Sequence, residues 1–163
     1  MPTLLAVLVA ILAQAPWDMA KHAAGRATTG KLEGEINKRL LAESRKNQCS
    51  FKTDTDVLDK GCDKKLRNLA GALIDAKKRL NSAHVQNFKF EVSGHTDTSG
   101  NASHNNELSE NRAAVIAKEL QARGVPQNEI VAVGKGAQQP VVKPDDTAAK
   151  KAKNRRYEVR VRL

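Results

Sequence analysis

Aromatic residues are scarce in this sequence: one tryptophan, one tyrosine and three phenylalanines make up 3% of its 163 residues. Any hydrophobic core must therefore be mostly aliphatic, built from Leu, Val, Ile and Ala. The length suits one domain with appendages and is short for two full domains. The scarcity also argues against nucleic-acid binding, because no aromatic side chains are interleaved with the basic ones to stack on bases.

Cysteine is nearly absent, since the chain holds only Cys49 and Cys62. Their separation matches neither a CxxC redox pair nor a four-ligand zinc pattern, so no metal site is expected from them. In an oxidising compartment a disulfide between the two is predicted. The alternative is a pair of separate reduced thiols.

A hydrophobic run long enough to cross a bilayer is also missing. Residues 4–13 are continuously apolar, but a membrane-spanning helix needs about 20 such residues. We interpret residues 1–17 as a secretion signal, with Ala13-Gln14-Ala15 as a cleavage site, or as a truncated membrane anchor whose first half precedes this sequence. Against a signal, no Lys or Arg precedes the run and Pro16 follows the site. Both readings place the rest of the chain outside the cytoplasm, whereas a buried helix of a soluble protein is the alternative.

Positive charge is abundant: 28 Lys and Arg against 18 Asp and Glu give a formal net charge of +10 and a pI near 9.8. Such a chain is attracted to polyanions, which include nucleic acid, an anionic lipid surface and a negatively charged wall polymer. Charge alone does not choose among them.

Residues 18–47 are predicted to be a linker that becomes helical in its second half. Leu32, Ile36, Leu40 and Leu41 fall on one stripe of that helix, which should therefore pack against something. The partner is either another part of the chain or a second copy, which would make a homodimer.

Alternating and helical patterns succeed one another in residues 48–163. They predict strand, helix, strand, helix, strand and strand, in the stretches CSFKTDTDVL, DKKLRNLAGALIDAKKRL, NFKFEVSG, LSENRAAVIAKELQARGV, EIVAVGKG and RRYEVRVRL. The expected fold is α+β, a two-layer sandwich of β-α-β-α-β-β order with a mixed four-stranded sheet and helices packed on one face.

A dense polar stretch, residues 93–114, connects the second predicted strand to the second helix. Arg112 falls on the stripe of that helix that otherwise carries apolar side chains, where a cation is costly unless it is paired or reaches a cleft. Helix N-terminal amides and the Arg112 guanidinium together suit a carboxylate, and Asp97 supplies the negative charge to hold an ammonium group. This pairing predicts a ligand with an amine and a carboxylate close together.

The stretches GHTDTSG, NNELSENRA, RGV, GKGAQQP and NRRYEV resemble, in order and spacing, the OmpA-like peptidoglycan-binding domain of OmpA C-terminal regions, Pal lipoproteins and MotB-type stator proteins. The resemblance covers residues 49–163. It implies non-covalent binding of peptidoglycan through the diaminopimelate group of the stem peptide. By motif, the principal ligands would be Asp97 and Arg112, and the other groove positions would be Thr96, Asn105, Leu108, Ala113 and Arg156.

The resemblance further implies a binding protein in the periplasm or cell envelope, with no cofactor and no enzymatic activity. It leaves two roles open: a passive anchor of an envelope protein to the wall, and a wall-anchoring stator subunit of an ion-driven motor. A metal site at His95, Asp97 and His104 is disfavoured because the motif already assigns Asp97. A hydrolytic triad is disfavoured because no nucleophile elbow surrounds Ser93 or Ser109.

Overall fold

The computed structural model describes residues 4–52 and 54–163, and residues 4–24 only as helical backbone. Its elements are α1 (Leu4–Lys46), α2 (Asp63–Ser82), β1 (Lys89–Gly94), α3 (Ala102–Gln121), a 3₁₀ turn (Gln127–Glu129), β2 (Ile130–Gly134), α4 (Ala148–Asn154) and β3 (Tyr157–Arg162). The chain divides into two compact units, Met1–Glu35 and Ile36–Leu163. The fold is α+β.

The unit Met1–Glu35 carries the predicted signal or membrane anchor, whose side chains lie outside the described residues, so that assignment stays a prediction. The described part of this unit is helical, and the hydroxyls of Thr28 and Thr29 donate to the carbonyl of Gly25. Among the described residues, no helix has both the length and the apolar character that crossing a membrane requires.

The sheet has the order β2-β1-β3, with β1 parallel to β2 and antiparallel to β3. The alternation in NFKFEVSG places Phe90 and Val92 in the core. There they meet Val159 and Val161 of β3, their partners in the ladder. The mixed sheet thus agrees with the predicted architecture around its central strand.

The helices complete the core with the residues that their 3.6-residue period selects. The α3 helix packs on β1 and β2 and contacts α2. Both helices bury small and aliphatic side chains, namely Leu66, Leu69, Ala70, Ala72, Leu73, Ala76, Leu80, Ala113, Ile116, Ala117 and Leu120. The core is therefore mostly aliphatic, as the composition predicts.

The prediction of a four-stranded sheet is wrong for the described residues, because CSFKTDTDVL does not join the sheet. This segment folds back on itself through one antiparallel bridge between Phe51 and Leu58. Its closing hydrogen bonds run from Lys52 N–H to the carbonyl of Val57 and from Asp59 N–H to that of Ser50. The first element of the domain is thus a short loop.

The free edge of β3 is covered by the C-terminal part of α1 and by Gln48, two residues after the helix, instead of by a strand. The Asn37 amide donates to the carbonyl of Val161 (3.1 Å) and accepts from its N–H (2.7 Å). The Ser44 hydroxyl accepts from Val159 N–H at 3.0 Å. Exposed strand edges recruit other strands, so these side chains protect the edge.

Gln48 completes this edge cover by bonding both backbone groups of Tyr157 (2.7 and 3.2 Å). The stripe predicted on α1 is buried at Ile36 and Leu40. The chain itself therefore covers these two residues, and burying them requires no second copy.

The predicted disulfide is not formed, and both cysteines are buried free thiols. The sulfur of Cys49 lies 3.9 Å from the backbone carbonyl of Cys62, in a weak hydrogen bond. Burial, followed by the hydrogen bond with Cys62, raises the pKa of the Cys49 thiol to about 12. The thiol is thus protonated and unreactive at neutral pH.

Candidate functional site

The candidate site lies where β1 and β2 end and β3 begins. Because β1 and β2 are parallel and β3 is antiparallel to β1, the segments that follow Gly94 and Gly134 meet the segment that precedes Tyr157. Two backbone hydrogen bonds tie them together: His95 N–H donates to the carbonyl of Arg156, and Thr96 N–H to that of Gly136, both at 2.9 Å.

Two glycines let the first half of α3 press against these strand ends. A Cβ at Gly94 would overlap the carbonyl oxygen of Ser109, and one at Gly134 would lie 2.8 Å from the carbonyl oxygen of Asn106. The buried Ser109 hydroxyl accepts from Gly136 N–H at 2.9 Å. The glycines of the GH and GKG stretches therefore fix the position of the α3 residues that line the site.

A groove of about 540 Å³ opens beside this junction. It is lined by residues from four segments, most of them polar or charged: Phe51, Asp54, Thr96, Asp97, Ser99, Gly100, His104, Asn105, Leu108, Arg112 and Arg155. A concave surface with few convergent charged groups is the usual form of a small-ligand site.

Asp97 supplies a negative charge to the groove. Asp97 is 8% exposed. One carboxylate oxygen accepts from Ser99 N–H at 2.9 Å and the other from the Arg155 guanidinium at 2.7 Å. Burial tends to raise the pKa of Asp97, but the hydrogen bonds from Arg155 and Ser99 outweigh it and leave the pKa below its ordinary value. Asp97 is therefore ionised at neutral pH.

Arg112 supplies a positive charge from α3 and is 7% exposed. Its Nε donates to the carbonyl of Thr55 at 2.9 Å, and its guanidinium carbon lies 5.0 Å from the ring centroid of Phe51. Burial, and then the charge of Arg155, lower the pKa of Arg112. The loop 51–58 thus holds the guanidinium in place from one side.

The N-terminus of α3 is fixed by asparagines. The Asn101 side chain caps the helix by accepting from His104 N–H at 2.8 Å, and Asn105 donates to the carbonyl of Ser99 at 2.8 Å. The loop between β1 and α3 is thereby held against the helix that carries Arg112. Asn101 and Asn105 therefore have structural roles in this polar stretch.

The structure brings five of the seven predicted binding residues into this groove: Thr96, Asp97, Asn105, Leu108 and Arg112. The other two do not line it. Ala113 is completely buried in the core. Arg156 forms an ion pair with Glu158 at 2.9 Å and donates to the carbonyl of Gln139.

Six groove residues were not predicted from the motifs: Phe51, Asp54, Ser99, Gly100, His104 and Arg155. Of these, Arg155, the neighbour of Arg156, forms the ion pair with Asp97. Residues 156 and 158 point to the same side of the chain as it enters β3, which explains the Arg156–Glu158 pair. Arg155 points elsewhere and reaches Asp97. The period-2 pattern of RRYEV predicts that the two adjacent arginines point to opposite sides, but it does not tell which side faces the groove.

The structure also shows how His95, Asp97 and His104, the residues considered for a metal site, are arranged. The His104 ring forms a hydrogen bond with the Asp54 carboxylate at 2.7 Å. Among the described residues, no group of three or more His, Cys, Asp or Glu side chains is close enough to hold a metal ion.

Residues 50–155, more than half of the chain, match the sequence profile of the OmpA family. The chain is 40% identical over 71 residues to the peptidoglycan-binding protein ArfA of Mycobacterium tuberculosis, an alignment that covers 44% of this chain and 22% of that protein. The chain thus spans about a third or less of the length of the curated relatives it matches.

Two solved structures share the fold. The C-terminal domain of Helicobacter pylori MotB superposes with a TM-score of 0.58 at 24% identity, over 71% of this chain and 84% of that one. The cell wall anchor of the T6SS from Pseudomonas aeruginosa superposes with a TM-score of 0.56 at 21% identity, over 77% and 94%. These two structures show the fold, and the profile match, which spans β1, the polar loop and α3, establishes that the chain belongs to the OmpA family.

Proposed function

We propose that this protein binds peptidoglycan non-covalently in the groove, through the diaminopimelate group of the stem peptide. It thereby anchors an envelope protein or membrane complex to the cell wall. The observation that carries the proposal is the placement of two buried, oppositely charged side chains, Asp97 and Arg112, in one open groove. The free end of diaminopimelate carries an ammonium and a carboxylate on one carbon, and these match the two charges.

Arg112 is the group that takes the carboxylate. The hydrogen bond that described residues make with its guanidinium uses Nε, so the two Nη groups are available for a bidentate contact. Phe51 and Thr55 hold the guanidinium in advance of binding. Little side-chain entropy is then lost when the ligand arrives.

Asp97 is the group that takes the ammonium. An ionised carboxylate has about four acceptor positions, so Asp97 can accept from a ligand in addition to Ser99. In the structure Arg155 neutralises it. We infer that the ligand ammonium displaces Arg155 from Asp97, and that Arg155 then turns to the ligand's acidic groups.

Thr96 fits the same role. The residue is 4% exposed and lines the groove, and its hydroxyl has no hydrogen-bond partner among the described residues. Buried polar atoms are rarely left in this state unless another molecule completes them. The ligand supplies that partner.

The relatives support the wall as the source of the ligand. ArfA is named a peptidoglycan-binding protein, and one structural neighbour is a cell wall anchor. The proposed site is a binding site rather than a catalytic one, and it places the domain in the periplasm or cell envelope.

Co-sedimentation of the full chain with diaminopimelate-type sacculi tests the proposal. Asp97→Asn and Arg112→Gln each remove one charge of the groove, and each should weaken binding at least about tenfold, as expected for a lost charged hydrogen bond of about 1.5–3 kcal/mol. Glu110→Gln and Lys118→Gln remove the same charges from exposed positions of α3 and should bind normally.

Circular dichroism must show that all four variants remain folded. Unchanged co-sedimentation of both groove variants would reject the proposal. Equal losses in the groove and control variants would indicate a general charge effect and would also reject it.

A further inference from the structure

A second, smaller cavity adjoins the groove. This side pocket has a volume of about 180 Å³ and lies between the segment 49–51, the end of β1 and the junction of α4 with β3. It is lined by Cys49, Ser50, Phe51, His95, Arg112, Ala152, Arg155 and Arg156. Phe51, Arg112 and Arg155 line both cavities, so they form the partition between the groove and the side pocket.

His95 gives the side pocket its unusual feature. The residue is 2% exposed, and neither ring nitrogen has a hydrogen-bond partner among the described residues. Leaving a buried polar group unsatisfied costs about 1–3 kcal/mol, so a side chain with two such atoms is unlike a structural histidine. Its position is nevertheless well defined, because its N–H donates to the carbonyl of Arg156.

The imidazole of His95 is neutral at physiological pH. Burial, and then the positive charge of Arg156, lower its pKa to about 4. A neutral imidazole has one N–H donor and one acceptor nitrogen. His95 therefore offers a hydrogen-bond donor to the side pocket without adding a charge.

The charged side chains that line the side pocket are all positive. Three arginines line it, and none of its described lining residues is acidic. Glu158 pairs with Arg156, and Asp97 pairs with Arg155. The guanidinium of Arg112 has no such ion pair among the described residues, so its charge is the one left to attract an anion.

We propose that the side pocket is a second binding site, which takes a small oxyanion, a carboxylate or a phosphate, between the Arg112 guanidinium and the N–H of His95. Arg112 then lies between two acceptors, one in each cavity. The oxyanion comes either from a second acidic group of the wall fragment or from free phosphate. The wall fragment as source rests on the proposed function. Free phosphate as source does not, because the His95 ring is a donor with no partner among the described residues.

The imidazole ¹⁵N signals of His95 in the full chain provide the direct readout, assigned by their loss in His95→Phe. Titration with inorganic phosphate or with sodium acetate should shift them saturably, whereas sodium chloride at the same ionic strength should not. Absence of a saturable shift with both anions would overturn the proposal. The His95→Phe variant has no such signals, so its affinity for phosphate is measured by isothermal titration calorimetry. An affinity equal to that of the wild type would also overturn the proposal.

Two variants of α4 distinguish phosphate binding in the side pocket from nonspecific attraction to the positive charge of the whole protein. Ala152 lines the pocket and is exposed, so Ala152→Glu places a carboxylate at its rim and should weaken phosphate binding at least tenfold. Ala149→Glu makes the same change of charge on the same helix, at an exposed residue that does not line the pocket, and should bind phosphate normally. Equal effects of the two variants would overturn the site.

A third comparison identifies the source of the oxyanion. If the wall supplies it, soluble muropeptides should shift the His95 signals and phosphate should compete with them. If free phosphate is the ligand, muropeptides should leave these signals unchanged. Asp97→Asn should still bind phosphate, so a failure of the groove proposal is distinguishable from a failure of this one.

Discussion

The hydroxyls of Ser44 and Thr96 are both buried, yet they belong to regions built in different ways. Ser44 lies in the cover over the β3 edge, where it donates to the carbonyl of Leu40 and accepts from Val159 N–H. Thr96 lies at the end of β1, and its hydroxyl has no partner among the described residues. The hydroxyl at the edge is satisfied within the chain, whereas the hydroxyl at the site is the one that we propose a ligand completes.

This difference separates structural polar residues from ligand-facing ones. Asn37, Ser44 and Gln48 each bond the backbone of a separate β3 residue, so their role is the satisfaction of a strand edge. His95 and Thr96 are buried like Ser44, but their side chains lack such partners among the described residues. Arg123 Nε and Glu129 Oε2 are unpartnered too, but those side chains form other hydrogen bonds, whereas the side chains of His95 and Thr96 form none among the described residues. A buried polar side chain without any partner is thus the feature that the groove and the side pocket share.

The largest effect on stability is expected from Asn154→Ala, which removes a fully paired side chain. Asn154 is completely buried, accepts from the N–H groups of Val141 and Val142, and donates to the carbonyl of Val142 and the carboxylate of Asp145. Losing these bonds should lower the free energy of unfolding by at least about 3 kcal/mol. Urea denaturation measures it, with the exposed Asn128→Ala as the control. If Asn154→Ala lowers the free energy of unfolding no more than Asn128→Ala does, the stabilising role of fully paired buried side chains is contradicted.

A smaller loss is expected from Ser44→Ala, which leaves Val159 N–H without its acceptor. The expected decrease in the free energy of unfolding is about 1–3 kcal/mol, with wall binding unchanged. Ser82→Ala is the matched control, because the Ser82 hydroxyl makes the same bond to the carbonyl four residues earlier but is exposed. It should change stability by less than about 0.5 kcal/mol. Similar values for the two variants would show that the edge bond contributes nothing.

The smallest effect on stability is expected from Thr96→Val. The substitution preserves shape and removes a hydroxyl that has no partner among the described residues, so the free energy of unfolding should stay within about 0.5 kcal/mol of the wild type. Binding to sacculi should nevertheless weaken. Ser44→Ala should instead lower the free energy of unfolding and leave binding to sacculi unchanged. A large loss of stability in Thr96→Val would contradict the proposed role of Thr96.

Much of the domain follows from local patterns. The helical period of residues 63–80 places Leu66, Leu69 and Leu73 in the core, and the alternation of NFKFEVSG gives the central strand. Arg112 on an apolar stripe and Asp97 in the loop before it were sufficient to predict a shared groove. The helix and strand inferences depend on side chains a few residues apart, where backbone geometry is regular. Asp97 and Arg112 are fifteen positions apart, but both belong to one loop–helix connection.

The errors concern elements whose state is set from a distance. The brief alternation of CSFKTDTDVL predicts a strand, but the β3 edge that such a strand would join is occupied by Asn37, Ser44 and Gln48. These three residues lie 109 or more positions from their β3 partners. Arg156 was chosen over Arg155 because a motif gives the pair of arginines and not the direction in which each points.

The sequence by itself determined the α+β class, the aliphatic core, the family and the pairing of an acid with a guanidinium, because these depend on composition, periodicity and short-range order. Only the tertiary structure decided which groups complete the β3 edge and which arginine neutralises Asp97. It also decided that the His95 ring, beside three arginines, has no hydrogen-bond partner among the described residues. Hydrogen-bond satisfaction is a property of atoms brought together from distant parts of the chain, and no local pattern records it.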